Sequence, residues 1–290
     1  MRPILRHAGL MTMVLATSAL AACSASPEVR IGLAQDIALS GRLAERQVVA
    51  QPYILTVYER VSAPGQQADV YIEGDGLAWA GRTTKSSDPT PTDPVALRLA
   101  AVDPSANVIY LARPCQYTKM SERQGACTAD DWTNARFSAR IVSSMNNALD
   151  QIKAQTKISG FNLIGYSGGG GIAAILTSMR SDVLSLRTVA GNLDHVKFNE
   201  NHHVSPMSGS LNPRDAAAGT ASVPQLHFIG GDDKIITPDI YESFHQAAIK
   251  HATGKTCMRN ETVPGVTHGD GWLERWPQLL THPVACPQGE

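Results

Sequence analysis

The chain is poor in aromatic residues and almost free of net charge. Aromatic side chains make up 6% of its 290 residues, and 25 Lys and Arg balance 26 Asp and Glu to a formal charge of −1. No basic stripe interrupts this balance. Without a positive surface or stacking platforms, nucleic acid is excluded as the expected partner. No C-x-x-C pair or Cys/His cluster has ligand spacing, so no metal site is expected. No Lys-Ser or Lys-Thr follows the glycine-rich stretch at 168–171, which excludes a Walker phosphate loop. No internal repeat or domain linker is visible after residue 50. What remains is an apolar content of 43%, enough for a globular core in one large domain.

The N-terminus has its own signature. Arg2, Arg6 and His7 precede an apolar segment from Leu10 to Leu20, followed by Leu20-Ala21-Ala22-Cys23. A basic start, a short apolar centre and small residues before a cut site predict a secretory signal over 1–22. The apolar segment is too short to read as a spanning helix. Leu-Ala-Ala-Cys resembles the bacterial lipobox, which implies that Cys23 is lipidated and tethers the chain to a membrane. Ser24 follows, and by the same resemblance the expected location is the outer membrane, facing the periplasm. The alternative is an ordinary secretory signal with an incidental cysteine. Setting Cys23 aside leaves Cys115, Cys127, Cys257 and Cys286, an even number suited to pairing in an oxidising compartment. Nearest-neighbour pairing closes two short loops, but three connectivities are open. Residues 23–50 read as a lipidated tether and N-terminal segment, and 51–290 as one folded domain.

The centre of the chain alternates strand and helix signals. Strands are expected at 53–61, 69–73, 107–112, 161–166, 186–191, 224–229 and 257–263, with the first two forming a hairpin. Helices are expected at 95–101, 131–155, 168–179, 238–250 and 272–280. The stripe Phe137, Ile141, Met145, Ala148, Leu149 and Ile152 marks the buried face of the long helix. Residues 192–222 read as a long loop. This alternation predicts an α/β fold, with a mainly parallel twisted sheet, helices on both faces and an antiparallel N-terminal hairpin.

One stretch carries chemistry. An apolar strand ends at Gly165-Tyr166-Ser167-Gly168-Gly169, a match to G-x-S-x-G, and a helix begins after Ser167. Such a turn exposes the serine hydroxyl, and bulky flanking residues would clash with neighbouring backbone. A serine nucleophile needs a base, an acid and an oxyanion site. His268 alone among nine histidines follows the last expected strand within a glycine-flanked loop. For the acid, Gly230-Gly231-Asp232-Asp233 resembles the acid loop of α/β hydrolases, in a register that favours Asp233 over Asp232, with Asp194 as a third candidate. The same resemblance implies that the oxyanion donors are the amides of Gly168 and of Asp75, in Glu73-Gly74-Asp75-Gly76. A competing reading takes Gly168 to Ala173 as a dinucleotide turn with Asp194 on the ribose. It leaves Ser167, Asp233 and His268 without a role.

The ordered set Gly74-Asp75-Gly76, Ser167, Asp233 and His268 resembles the α/β-hydrolase superfamily, and in particular exported or lipid-anchored bacterial serine hydrolases. The resemblance implies attack by Ser167, proton transfer through His268, orientation by Asp233 and an acyl-enzyme released by water, with no cofactor. Glu73 departs from the family pattern, which has histidine there. A carboxylic-ester hydrolase acting on a small-molecule or acyl substrate is expected. A peptidase or acyltransferase on the same residues is the alternative, and a non-catalytic envelope-binding lipoprotein is a further one.

Overall fold

A computed structural model describes residues 26–118, 126–251 and 256–286. The expected signal and Cys23 lie outside the described residues. Among the described residues no helix is long and apolar enough to cross a membrane.

Eight strands form one sheet. They are β1 (Ala44–Ala50), β2 (Tyr53–Val61), β3 (Ala68–Ile72), β4 (Asn107–Leu111), β5 (Phe161–Tyr166), β6 (Val183–Val189), β7 (Gln225–Gly230) and β8 (Met258–Val263). Their order is β1-β2-β4-β3-β5-β6-β7-β8. The strands β4-β3-β5-β6-β7-β8 run parallel. β2 is antiparallel to both β1 and β4. Eight helices surround the sheet in the described residues: α1 (Pro27–Ser40), α2 (Val95–Val102), α3 (Ala139–Thr156), α4 (Gly168–Met179), α5 (His195–His202), α6 (Ala217–Thr220), α7 (Pro238–His251) and α8 (Trp272–Leu279). α2 packs on α1 and α8, while α4 packs on α3 and α6, and α6 on α7. A parallel sheet needs this cover, because both of its faces are apolar. In β4 every residue is buried, and in β3 all but Asp69.

Four expectations change. The segment 27–50 is not a tether: it supplies α1 and the edge strand β1, so the fold begins well before residue 51. β1 is mostly exposed over its first half, and this weak alternation hides it from a pattern search. The antiparallel hairpin is therefore β1–β2, turning at Gln51-Pro52, and not β2 with β3. β3 instead lies between β4 and β5, where its apolar side chains are enclosed.

The expected helix at 131–155 is two elements. Thr128 and Asp131 close a capping box around a short 3-10 turn, Ala129–Trp132. Asp131 is buried and accepts a hydrogen bond from Tyr53 Oη at 2.8 Å, which fixes that turn to the sheet. The chain then breaks and restarts at the Ser138 cap, whose hydroxyl accepts from the Ile141 amide. Ile141, Met145, Ala148, Leu149 and Ile152 are buried, as their spacing predicts, and Phe137 joins them from outside the helix.

The segment 192–222 is not a structureless loop. It holds α5, a 3-10 turn at Pro213–Ala216 and α6. Asp194 caps α5 by accepting from the amides of Val196 and Lys197. Disulfides join Cys115 to Cys127 and Cys257 to Cys286, the nearest-neighbour pairing.

Candidate active site

The parallel strands deliver four loops to one end of the sheet, as open α/β sheets do. β5 ends at Tyr166 and is followed at once by Ser167, the cap of α4. Ser167 has φ 50° and ψ −120°, a backbone conformation that a non-glycine residue adopts only when its surroundings impose it. Here the surroundings are tight. A Cβ on Gly165 would lie 2.3 Å from the Gly169 carbonyl oxygen, and one on Gly169 would lie 2.2 Å from the Ile72 oxygen. The glycine run is thus filled by neighbouring backbone: side chains on Gly170 and Gly171 would meet Gly191 and Asn192. That space is not open to a pyrophosphate, and Asp194 is spent on its cap and on Asn212 and Ser243. The dinucleotide reading therefore falls on geometry.

His268 reaches Ser167 from the loop after β8. Its Nε2 lies 3.1 Å from Ser167 Oγ, and its Nδ1 lies 2.9 Å from Asp233 Oδ2. With Nδ1–H donating to the carboxylate, Nε2 is left to accept the serine proton. Two donors hold the His268 carbonyl: Tyr166 Oη at 3.1 Å and Trp272 Nε1 at 3.0 Å. Asp233 follows β7, and its carboxylate is fully enclosed. Its other oxygen accepts from the amides of Ile235 at 2.7 Å and Ile236 at 2.9 Å. Burial pushes this carboxyl up. The His268 hydrogen bond and charge, with the two amides, outweigh burial and hold it below its ordinary value. Asp232 is exposed and Asp194 is engaged elsewhere, so Asp233 is the acid that meets His268.

Gly74-Asp75-Gly76 leaves β3 beside the serine turn. Gly74 packs against Tyr166 and Ser167, and the Asp75 carboxylate lies against Gly168. Among the described residues, the amides of Asp75 and Gly168 donate to no protein acceptor. Two arginines hold the Asp75 carboxylate: Arg113 Nη1 at 3.3 Å and Arg136 Nε at 3.0 Å. Both guanidinium groups also sit over the Phe137 ring, at 5.4 and 5.7 Å. The trio carries a net positive charge next to the serine. Sequence reading missed Arg113, Arg136 and Tyr166. The arginines are distant in sequence and match no motif, whereas Tyr166 sits inside G-x-S-x-G at its variable position.

His202 and His203 stand apart. His202 Nε2 lies 2.7 Å from the Ile235 carbonyl, and His203 ends α5 with a left-handed residue. A cavity of about 880 Å³ lies between α5, Ile175 and the segment leading to Ala216. Ser167, His268 and Asp233 are not on its walls.

The sequence model of the FSH1 serine hydrolases matches residues 97–258, more than half of the chain. The chain belongs to the FSH1 serine hydrolase family. No curated protein matches it in sequence. Its fold is similar to that of Est1E from Butyrivibrio proteoclasticus, at TM-score 0.54 and 12% identity, over 81% of this chain and 95% of that one. An esterase of Pyrococcus furiosus aligns at TM-score 0.56 and 12% identity, over 85% and 90% of the two chains. The acylaminoacyl peptidase of Pyrococcus horikoshii aligns at TM-score 0.58 and 10% identity, over 86% of this chain and 42% of that longer one. At such identities the likeness is one of fold: an α/β hydrolase.

Proposed function

We propose that this serine hydrolase cleaves carboxylic esters through an acyl-enzyme, with Ser167 as nucleophile, His268 as base and then acid, and Asp233 as orienting acid. The reading rests on the unbroken line from Ser167 Oγ through the His268 ring to Asp233. In this mechanism Ser167 Oγ attacks the acyl carbon and its proton passes to His268 Nε2. The carbonyl electron pair moves onto oxygen, where the amides of Asp75 and Gly168 stabilise it. Collapse expels the alkoxide, which takes the proton from His268. Water repeats the sequence and frees Ser167. The ester preference is supported by fold likeness to esterases. Likeness to a peptidase keeps amide cleavage as the competing outcome. Short-chain p-nitrophenyl esters against matching p-nitroanilides separate the two. A higher kcat/KM for the anilides would overturn the ester assignment.

We also propose export and lipid attachment at Cys23, at the outer membrane facing the periplasm. Support comes from Leu20-Ala21-Ala22-Cys23 and from two disulfides, which persist in oxidising compartments. Cys23→Ala is expected to move the protein from the membrane fraction to the soluble one. Unchanged membrane association would refute anchoring through this residue.

A further inference from the structure

The peptide unit between Gly74 and Asp75 is gripped by a residue with no role in the reading above. Gln116 is buried, with 1% of its surface exposed. Its Nε2 donates to the Gly74 carbonyl at 2.9 Å, while its Oε1 accepts from the Arg113 amide at 3.1 Å. Gly76, at φ +65°, makes room for it: a Cβ there would lie 2.8 Å from Gln116 Nε2 and would strike the Pro89 carbonyl. In a trans peptide the C=O and the N–H point in opposite directions. A side chain that fixes the Gly74 carbonyl therefore also fixes the Asp75 N–H, aimed away from Gln116.

The turn that carries Gln116 is itself held in an unusual shape. Its neighbours Cys115 and Tyr117 have φ 74° and φ 56°. Left-handed backbone is unfavourable at non-glycine residues, so other contacts must hold it. The Cys115–Cys127 bridge tethers one side. On the other, the Tyr117 amide donates to Thr90 Oγ1 at 2.9 Å. From the same turn Arg113 reaches the Asp75 carboxylate. One rigid turn thus holds Asp75 by its peptide and by its side chain.

We propose that Gln116 is a positioning residue: it sets the plane of the Gly74–Asp75 peptide so that the Asp75 amide faces the oxyanion formed when Ser167 attacks. The inference rests on Ser167 being the nucleophile. Gln116 touches neither substrate nor reacting atoms and acts only through this amide.

The test compares wild type with Gln116→Met, which keeps length but loses the donor, and Gln116→Glu, which keeps shape but presents an acceptor. With p-nitrophenyl butyrate, kcat is expected to fall about 10²-fold, the scale of one lost oxyanion donor. KM should stay within about twofold, because ground-state binding does not use this amide. Inhibition by an alkyl trifluoromethyl ketone, which becomes an oxyanion on Ser167, should weaken in parallel with kcat/KM. The acid limb of the pH–rate profile should not move, because His268 and Asp233 are untouched. If Gln116→Met does not fold, Gln116→Glu alone carries the comparison. Wild-type kcat in a folded variant, or a loss confined to KM, overturns the positioning role and leaves the proposed chemistry intact. A wild type with no Ser167-dependent turnover overturns both.

Discussion

The Glu73 carboxyl is buried at the end of β3, one residue before the serine-facing loop. Its Oε1 accepts from the Gly74 amide at 2.9 Å and its Oε2 from Tyr110 Oη at 3.0 Å. Burial pushes this carboxyl up to about 7 from an ordinary value of 4.5, against those hydrogen bonds. Below pH 4.5 the group is protonated in both folded and unfolded chains. Between that value and about 7 only the folded chain keeps the proton, so stability falls as pH rises through this window. The loss is about 3 kcal/mol. Glu73→Gln should abolish that part of the pH dependence, read as the change in urea midpoint between pH 4.5 and pH 8 relative to wild type. Parallel curves for the two proteins would contradict this account. Glu73 also shows where residue-level reading stops. Its place was legible from Glu73-Gly74-Asp75-Gly76, but its inward turn depends on Tyr110 of β4. The convergence of Ser167, His268 and Asp233 could be read because each follows a strand, in the chain order of the α/β hydrolases. Gln116 and Arg113, on one turn, and Arg136, on another segment, could not, because they match no motif and meet the Gly74–Asp75 segment only in the fold.

At the scale of elements, α4 and α1 call for opposite outcomes from one substitution. In a helix interior Gly→Ala gains up to about 1 kcal/mol from propensity. Gly32 in α1 has nothing within 4 Å of an added Cβ, so Gly32→Ala should stabilise by about that amount. A Cβ added to Gly169, in the first turn of α4, would lie 2.2 and 2.5 Å from the Ile72 and Glu73 carbonyl oxygens. Both obstacles are backbone, so the strand end or the helix must move, at about 1–3 kcal/mol, which exceeds the propensity gain. Gly169→Ala should therefore destabilise and lower activity. Denaturant midpoints of the two variants check the pair; shifts of the same sign would contradict the packing argument. The strands β5, β7 and β8 were legible from short β-rich runs, and α3 from its apolar stripe. The edge strand β1 was not, because an edge in contact with water needs no apolar alternation. The break before α3 was hidden as well, since Thr128 and Asp131 compete for the local backbone through a cap of their own.

At the scale of the whole molecule, the sheet order explains why the site lies where it does. β3, β5, β7 and β8 run parallel, so the loops after them emerge at one end and bring together residues from Gly74 to His268. The fold class could be read from alternating strand and helix signals. The order β4-β3-β5 could not, because it depends on which strands enclose the apolar residues of β3. The two disulfides close loops at this scale, with Cys257–Cys286 tying the segment after α8 to the start of β8. The central claim, that Ser167 is the activated nucleophile, is tested most directly by covalent labelling with a fluorophosphonate probe. Wild type and Ser167→Ala are to be compared at equal concentration, with folding verified by tryptophan fluorescence. The expected result is stoichiometric labelling of wild type, mapped to the peptide containing Ser167, and none of folded Ser167→Ala. Labelling of the alanine variant at the wild-type rate, or a folded wild type that takes up no probe, would contradict the account.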